Sequence, residues 1–505
     1  MGFIINNNQA STIDRLVNND YLSLYRDGKI YGCKYPIASY SGSPTGERTG
    51  AAVGMTAEVS TDTYAGVNDF DAVPCFHYDS VNGYLDNDNQ FHTTAVEGDL
   101  NFARDGSNGD CFSRFQLSFF RYYVDGNYEH FEISDTWHKG FCPFGIFINT
   151  DGSLRNFAYI AQYEMGYNGE GLPASISGVP VAHNTYANRN STAPGISYNS
   201  QLAEFGKKGV QYCGMTTKDV VFLQHLLIVE FATKDSQSIM PGAIRLNFQK
   251  PLSVAETGVN RVIVANANAD YYPVGCAISI SKSGLTAAAD RLIDNCHATV
   301  NRKIVLSKVA YDDNNTAIYI DTGGATFDTA TTMYITTMPW QTGMTDGILG
   351  SSGNYIDNSG YFPMKYRGVE NIYGNTWTIM SDVLCKSYQP YICYDCTNFT
   401  ESPDDNYTAI DYTPSATKGY IKTIGYDENH PSVRLPTAVG GSNTTYYCDS
   451  YWIAPGTNAF FYGGAIASDV GAGIWCWSVD NSTLTPKWHF GARLSVSGRS
   501  GTLAA

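Results

Sequence analysis

Two cysteines, Cys393 and Cys396, stand at the C-x-x-C spacing at which a pair of thiolates can grip zinc or exchange electrons. No second C-x-x-C and no H-x-x-x-H completes a set of four ligands, so no metal site is expected there. Asp105 and Asp110 bracket the run Asp105-Gly106-Ser107-Asn108-Gly109-Asp110 and could offer carboxylates to calcium. The rest of a calcium-loop ligand pattern is missing, and a solvated turn is the expectation. The nine histidines are scattered, and no H-E-x-x-H, G-x-S-x-G or P-loop occurs. Asp382 or Asp411 could belong to a glycosidase carboxylate pair, whose members are distant in the chain. Surface carboxylates outnumber catalytic ones in an acidic protein, so no catalytic residue, cofactor or metal is expected.

What remains is chemistry of recognition. Residues 446–493 are crowded with Tyr, Trp, Ser, Asn and Gly. Rigid aromatic area combined with adaptable hydrogen bonding is the composition of a binding surface. Alternation in Trp475-Cys476-Trp477-Ser478 puts both tryptophans on one face and Cys476 and Ser478 on the other. Core tryptophans are the favoured reading, which leaves Ser478, Asp480 and Lys487 as the contact surface. In the run 446–452, Tyr447 and Tyr451 either stack on sugar or protein, or fill a core as alternate residues of a paired strand.

The elements that would position these groups are mostly strands. Short β-branched and aromatic runs end repeatedly in Asp-Gly, Asn-Gly or Gly-Gly, as at 115–124 before Asp125-Gly126 and at 144–149 before Asp151-Gly152. A mainly β (α+β) fold follows. The strongest helix signal is 219–232, where Thr216 and Asp219 have capping-box spacing. Apolar residues nearly all round predict burial on most faces. Four regions are expected: a loop-rich β region over 1–112, a first domain segment over 113–252, a small inserted β module over 253–340, and a second domain segment over 341–505. Strands in the module are expected at 277–280, 303–306 and 317–321.

The chain has 505 residues, 43% of them hydrophobic and only 16% charged, which excludes a disordered protein. A formal net charge of −16 without a basic block disfavours nucleic acid and anionic membranes. Residues 1–8 lack the basic and apolar regions of a secretory signal, and no apolar run is long enough to span a bilayer. Synthesis in a cytoplasm without export is therefore expected. Twelve scattered cysteines do not form a dense disulfide framework.

The segment Arg367-Gly368-Val369-Glu370-Asn371-Ile372-Tyr373-Gly374-Asn375-Thr376-Trp377 resembles the N-x-x-G-N-x-W signature of the C-type-lectin-like fold shared by formylglycine-generating enzymes and phage tropism-determinant proteins. Phe157-Ala158-Tyr159-Ile160-Ala161-Gln162-Tyr163-Glu164 looks like that family's opening strand, and Val229-Glu230-Phe231-Ala232 looks like its E-x-A helix end. Gly463-Gly464 with Gly491-Ala492-Arg493-Leu494 resembles its closing frame. The similarity spans roughly 115–505, interrupted by the module. Glu230, Trp377 and Arg493 read as scaffold residues, with the buried charges neutralising each other or binding backbone groups.

The enzymatic branch of that family uses a close pair of reactive cysteines, and Cys448 and Cys476 do not have that spacing. The phage branch holds a variable stretch inside the closing frame, in some members diversified through adenine-directed mutagenesis (a diversity-generating retroelement). Here the matching positions are Ala467, Ser468, Asp469, Trp475, Trp477, Ser478, Asp480, Asn481, Lys487 and His489, bordered by Tyr447 and Tyr451. The resemblance, which residues 48–55 and 68–71 of the first region share with phage structural proteins, implies a virion adhesin on a tail or head fibre. Its partners would be a bacterial surface receptor, glycan or protein, together with other virion proteins and further copies of itself, a homotrimer by expectation. A carbohydrate hydrolase, a degenerate formylglycine-generating relative and a purely architectural decoration protein are the alternatives.

Overall fold

Alternation of large apolar residues with polar ones builds sheets here, and strands outweigh helices at 35% against 10%, so the fold is mainly β. The computed structural model describes residues 25–149, 151–181, 195–284 and 297–497. A six-stranded sheet runs, in spatial order, Cys213–Gly214, Leu494–Ser495, Phe157–Ala161, Asp110–Gln116, Tyr78–Leu85 and Phe91–Val96. Ser495 pairs with Ile160, so a strand near the carboxyl end closes against the one that opens the lectin-like resemblance.

Residues of the first region are woven into these sheets. Tyr31–Pro36 pairs along its length with Tyr128–Ser134, and Tyr78–Leu85 pairs with Asp110–Gln116. The boundary expected at 112 falls inside that last strand. The physical reason is burial: Tyr31, Cys33, Tyr35, Phe70 and Phe76 share one core cluster with Phe119, Phe131 and the central helix. The expected strand at 144–149 is instead a short 3-10 turn, Gly145–Phe147, whose Ile146 and Phe147 point into that core.

The central helix is Thr217–Phe231, buried at every position, with Thr216 and Asp219 forming the capping box and Ala232 ending it in a left-handed conformation. A second helix, Tyr198–Lys208, is capped by Ser197 and Ser200 and ends in Lys207 and Lys208, favourable to its dipole. The module forms a six-stranded antiparallel sheet in the order Gln249–Pro251, Tyr334–Met338, Ala277–Ile280, Val300–Ala310, Asn315–Ile320 and Arg261–Ala265. It has a core cluster of its own, which also takes in Ile466 and Trp488. The remaining large sheet is built on Trp377–Lys386, with Thr457–Tyr462, Trp477–Val479 and Ser450–Ile453 beside it.

Candidate functional site

The stretch 465–490 begins at a turn that only glycine fits. Gly463 and Gly464 have φ of 88° and 83°. A Cβ on Gly463 would lie 2.9 Å from the Tyr373 Cα, and one on Gly464 2.5 Å from the Ala472 Cβ. Facing this turn, Gly374 and Asn375 also have positive φ, 77° and 53°, and Trp377 folds back into a core.

Buried charges lock the frame behind it. Glu164 accepts bonds from the Asn371 amide at 3.0 Å, the Asn375 amide and the Thr376 hydroxyl. Arg493 donates to the carbonyls of Ala161 at 2.9 Å, Asn371 at 3.0 Å and Glu370. Glu230 meets Arg367 through Nε at 3.0 Å and Nη2 at 2.7 Å, and also accepts from Tyr366 at 2.8 Å. These groups are spent on one another and on backbone, which makes them scaffold. Glu370 accepts from Gly343 and Thr345, yet burial, with help from Asp346, pushes its carboxyl up to about 8.

Most of the stretch lies in the interior. Trp475 and Trp477 are both 1% exposed and belong to the main core, while Cys476 between them, in the turn that leads into the strand Trp477–Val479, belongs to another cluster. Trp475 packs edge-on against Tyr447 at 5.0 Å, and its backbone amide donates to buried Asp449 at 2.7 Å. Tyr447 lies under the Lys234 ammonium at 4.1 Å and donates to Glu129, and Tyr451 is 1% exposed. Ser478 is buried as well, its hydroxyl donating to Asp480 at 2.6 Å. As candidate receptor contacts Trp475, Trp477, Tyr447, Tyr451 and Ser478 are thus corrected: the tryptophans take the favoured core position, the two tyrosines the core alternative, and Ser478, expected at the contact surface, is buried support. Large rings gain more from burial than a surface would return.

Two turns carry the rest. In the first, Ala467 and Ser468 are half-buried and Asp469 is exposed. Asp469 adopts φ of 50°, donates its amide to Ile244 at 2.8 Å and pairs with Arg245 at 2.6 Å. Val470 lends its carbonyl to Gln237 at 3.0 Å. In the second turn Asp480, Ser482 and Leu484 are exposed and Asn481, Lys487 and His489 half-buried. Its backbone is clamped on both sides: the Asn481 carbonyl accepts from Ala459 at 3.1 Å and the Thr483 carbonyl from Asn199 at 3.1 Å, while Lys487 bridges to Ile196. Backbone held fast with side chains turned out is a preorganised display. Arg245 and Leu484 escaped the sequence reading. The first lies far away in the chain, and the second is apolar where polar contacts were sought, although it is 68% exposed.

The other chemical candidates resolve into structure. Asp382 accepts from the Thr217 amide and hydroxyl at the start of the central helix, and burial lifts its carboxyl to about 7. Asp411 is exposed and donates its own amide to Asp427, so the two do not form a pair across a cleft. Asp110 is tied to Lys208 at 2.8 Å and to the Ser175 amide, and Asp105 caps the Ser107 amide of its turn. The Cys393 and Cys396 thiols donate to the carbonyls of Asp395 and Val210. Among the described residues no group of three or more His, Cys, Asp or Glu side chains is placed to hold a metal ion, and no helix is long and apolar enough to cross a membrane. No family model matches the chain, and no curated protein matches it.

Proposed function

We propose that this chain is a phage virion adhesin that binds a bacterial surface receptor through the turns at 467–470 and 480–487, displayed on a C-type-lectin-like frame. The observation that carries the reading is the contrast within one stretch. The turns have their backbones tied on both sides and present Asp469, Asp480, Ser482 and Leu484 to solvent, while the segment 471–479 between them is locked into the core. A surface of that kind exchanges side chains at little cost to the fold and loses little entropy on binding. The pairing of Ser495 with Ile160 and the positive φ of Gly374 and Asn375 support the lectin-like resemblance. Several copies on one particle, a homotrimer in this proposal, multiply weak contacts through effective concentration.

The test is retention. Labelled full-length chain is mixed with cells from a panel of bacterial strains and with their purified envelope polysaccharides. Retention on one strain without release of oligosaccharide supports an adhesin. Released oligosaccharide identifies a hydrolase instead, and absence of retention on every strain leaves an architectural decoration protein.

A further inference from the structure

A cleft of about 450 Å³, with none of these turns' residues in its lining, opens between three parts of the chain that are far apart in sequence. His77, Tyr78, Glu97 and Arg104 come from the first region, Gln162 and Tyr163 from the end of the opening strand, and Asp346 and Lys365 from the segment that follows the module. Its volume falls within the roughly 300–1,000 Å³ range of small-molecule sites.

The floor is rigid. Gln162, 1% exposed, donates to the Ser80 hydroxyl at 3.0 Å and accepts from Arg104 at 3.3 Å. Arg104 also donates to the Tyr163 hydroxyl at 3.2 Å and pairs with Glu97. Asp346 accepts from Tyr163 through one oxygen and from the Ser177 hydroxyl at 2.7 Å through the other. A carboxylate oxygen holding one such bond keeps further lone-pair capacity, and Asp346 is part of the cleft lining.

Charge in the cleft is balanced. Arg104 faces Glu97 and Asp346, Arg367 is bound to Asp71 at 2.7 Å and to Glu230, and His77 sits 3.5 Å from Asp79. The Lys365 ammonium donates to the Ile348 carbonyl at 3.0 Å. A ligand with full charge would have to displace these partners, and the −16 of the whole chain further disfavours an anion. A ligand that both donates and accepts many hydrogen bonds without carrying charge meets no such cost. The half-buried ring of Tyr78 and the exposed Leu349 at the rim add apolar faces for the C–H side of a sugar ring.

We infer that the cleft between Tyr78, Arg104, Asp346 and Lys365 binds a neutral saccharide, its hydroxyls held by Asp346, Glu97 and Arg104. This goes beyond the adhesin reading and does not depend on it, since the site shares no residue with the turns.

Saturation-transfer NMR on the full-length chain tests it, using methyl α-mannoside, methyl β-galactoside, N-acetylglucosamine and lactose as neutral probes and glucuronate as the charged one. The expected result is transfer to at least one neutral sugar, with affinity at least about tenfold weaker in Asp346→Asn, the loss that follows from removing a charge-assisted hydrogen bond worth roughly 1.5–3 kcal/mol. Glu97→Gln, at a side chain 52% exposed and so safe for folding, weakens binding of the same sugar, whereas Lys303→Ala, at an exposed position of the module sheet, leaves it unchanged. Absence of transfer to every neutral sugar, transfer to glucuronate alone, or undiminished binding in Glu97→Gln overturns the assignment. If Asp346→Asn does not fold, Glu97→Gln alone decides.

Discussion

The buried segment 471–479, which ends in the short strand Trp477–Val479, and the turns on either side of it belong to one continuous stretch and yet obey opposite rules. Every residue from Gly471 to Val479 is buried, with the two tryptophans packed into one core cluster and Cys476 into another. In the turns Asp469, Asp480, Ser482 and Leu484 face solvent while the backbone beneath them is hydrogen bonded at both ends. Aromatic-rich composition therefore marks where the stretch is anchored, and the small polar residues beside it mark where it is shown. A region can have the amino-acid content of a paratope and still spend its tryptophans on its own core.

The sharpest way to break this contrast is through the anchor. Trp475→Ala is expected to cost about 3–5 kcal/mol in urea unfolding, the usual penalty for emptying a large buried aromatic site. A loss below about 1 kcal/mol would place that ring at the surface after all. Glu230→Ala strands Arg367 with Asp71 as its remaining carboxylate partner and is expected to cost about 3–5 kcal/mol by the same measurement.

The frame also predicts a pH signature. Glu370 holds its proton in the folded chain up to about 8, against 4.5 when unfolded. Its stabilising contribution is therefore complete below about 4.5 and is lost as pH rises toward 8. A carboxyl-carbon NMR titration of Glu370 is expected to show a midpoint near 8. A midpoint in the ordinary glutamate range would mean that water reaches it.

Within the turns, effects shrink. Asp469 has a positive φ, so Asp469→Val is expected to cost about 1–3 kcal/mol while Asp469→Gly is tolerated, a difference that differential scanning calorimetry resolves. Exchangeability at this position is thereby limited to residues that accept the left-handed region. Asp480→Asn, which keeps an acceptor for the buried Ser478 hydroxyl, and Lys487→Ala are each expected to stay within about 0.5 kcal/mol.

Local signals in the sequence were readable where one element satisfies itself. The capping box of Thr216 and Asp219, the uniformly apolar helix behind it, the Gly374-Asn375 turn and the module strands all follow from short-range chemistry. The failures are long-range. Nothing near Tyr447 announces that Lys234 and Glu129 close over its ring, and nothing near residue 112 announces that strands from both sides share a sheet. The stretch 144–149 has the composition of a strand, but Phe144, Ile146 and Phe147 reach the core from a tight turn. The polar cleft was invisible for the same reason, since Arg104, Gln162 and Asp346 meet only in the folded chain.

The most direct test of the account compares cell binding with stability in one variant, Asp480→Asn, Leu484→Ala and Lys487→Ala combined, in which the buried Ser478 hydroxyl keeps an acceptor. On a strain that retains the wild-type chain, the account predicts that this variant melts like wild type and loses at least about tenfold in affinity for the cells, or roughly 1.4 kcal/mol. A folded triple variant that binds those cells as tightly as wild type would contradict it, because the receptor would then be gripped elsewhere on the molecule.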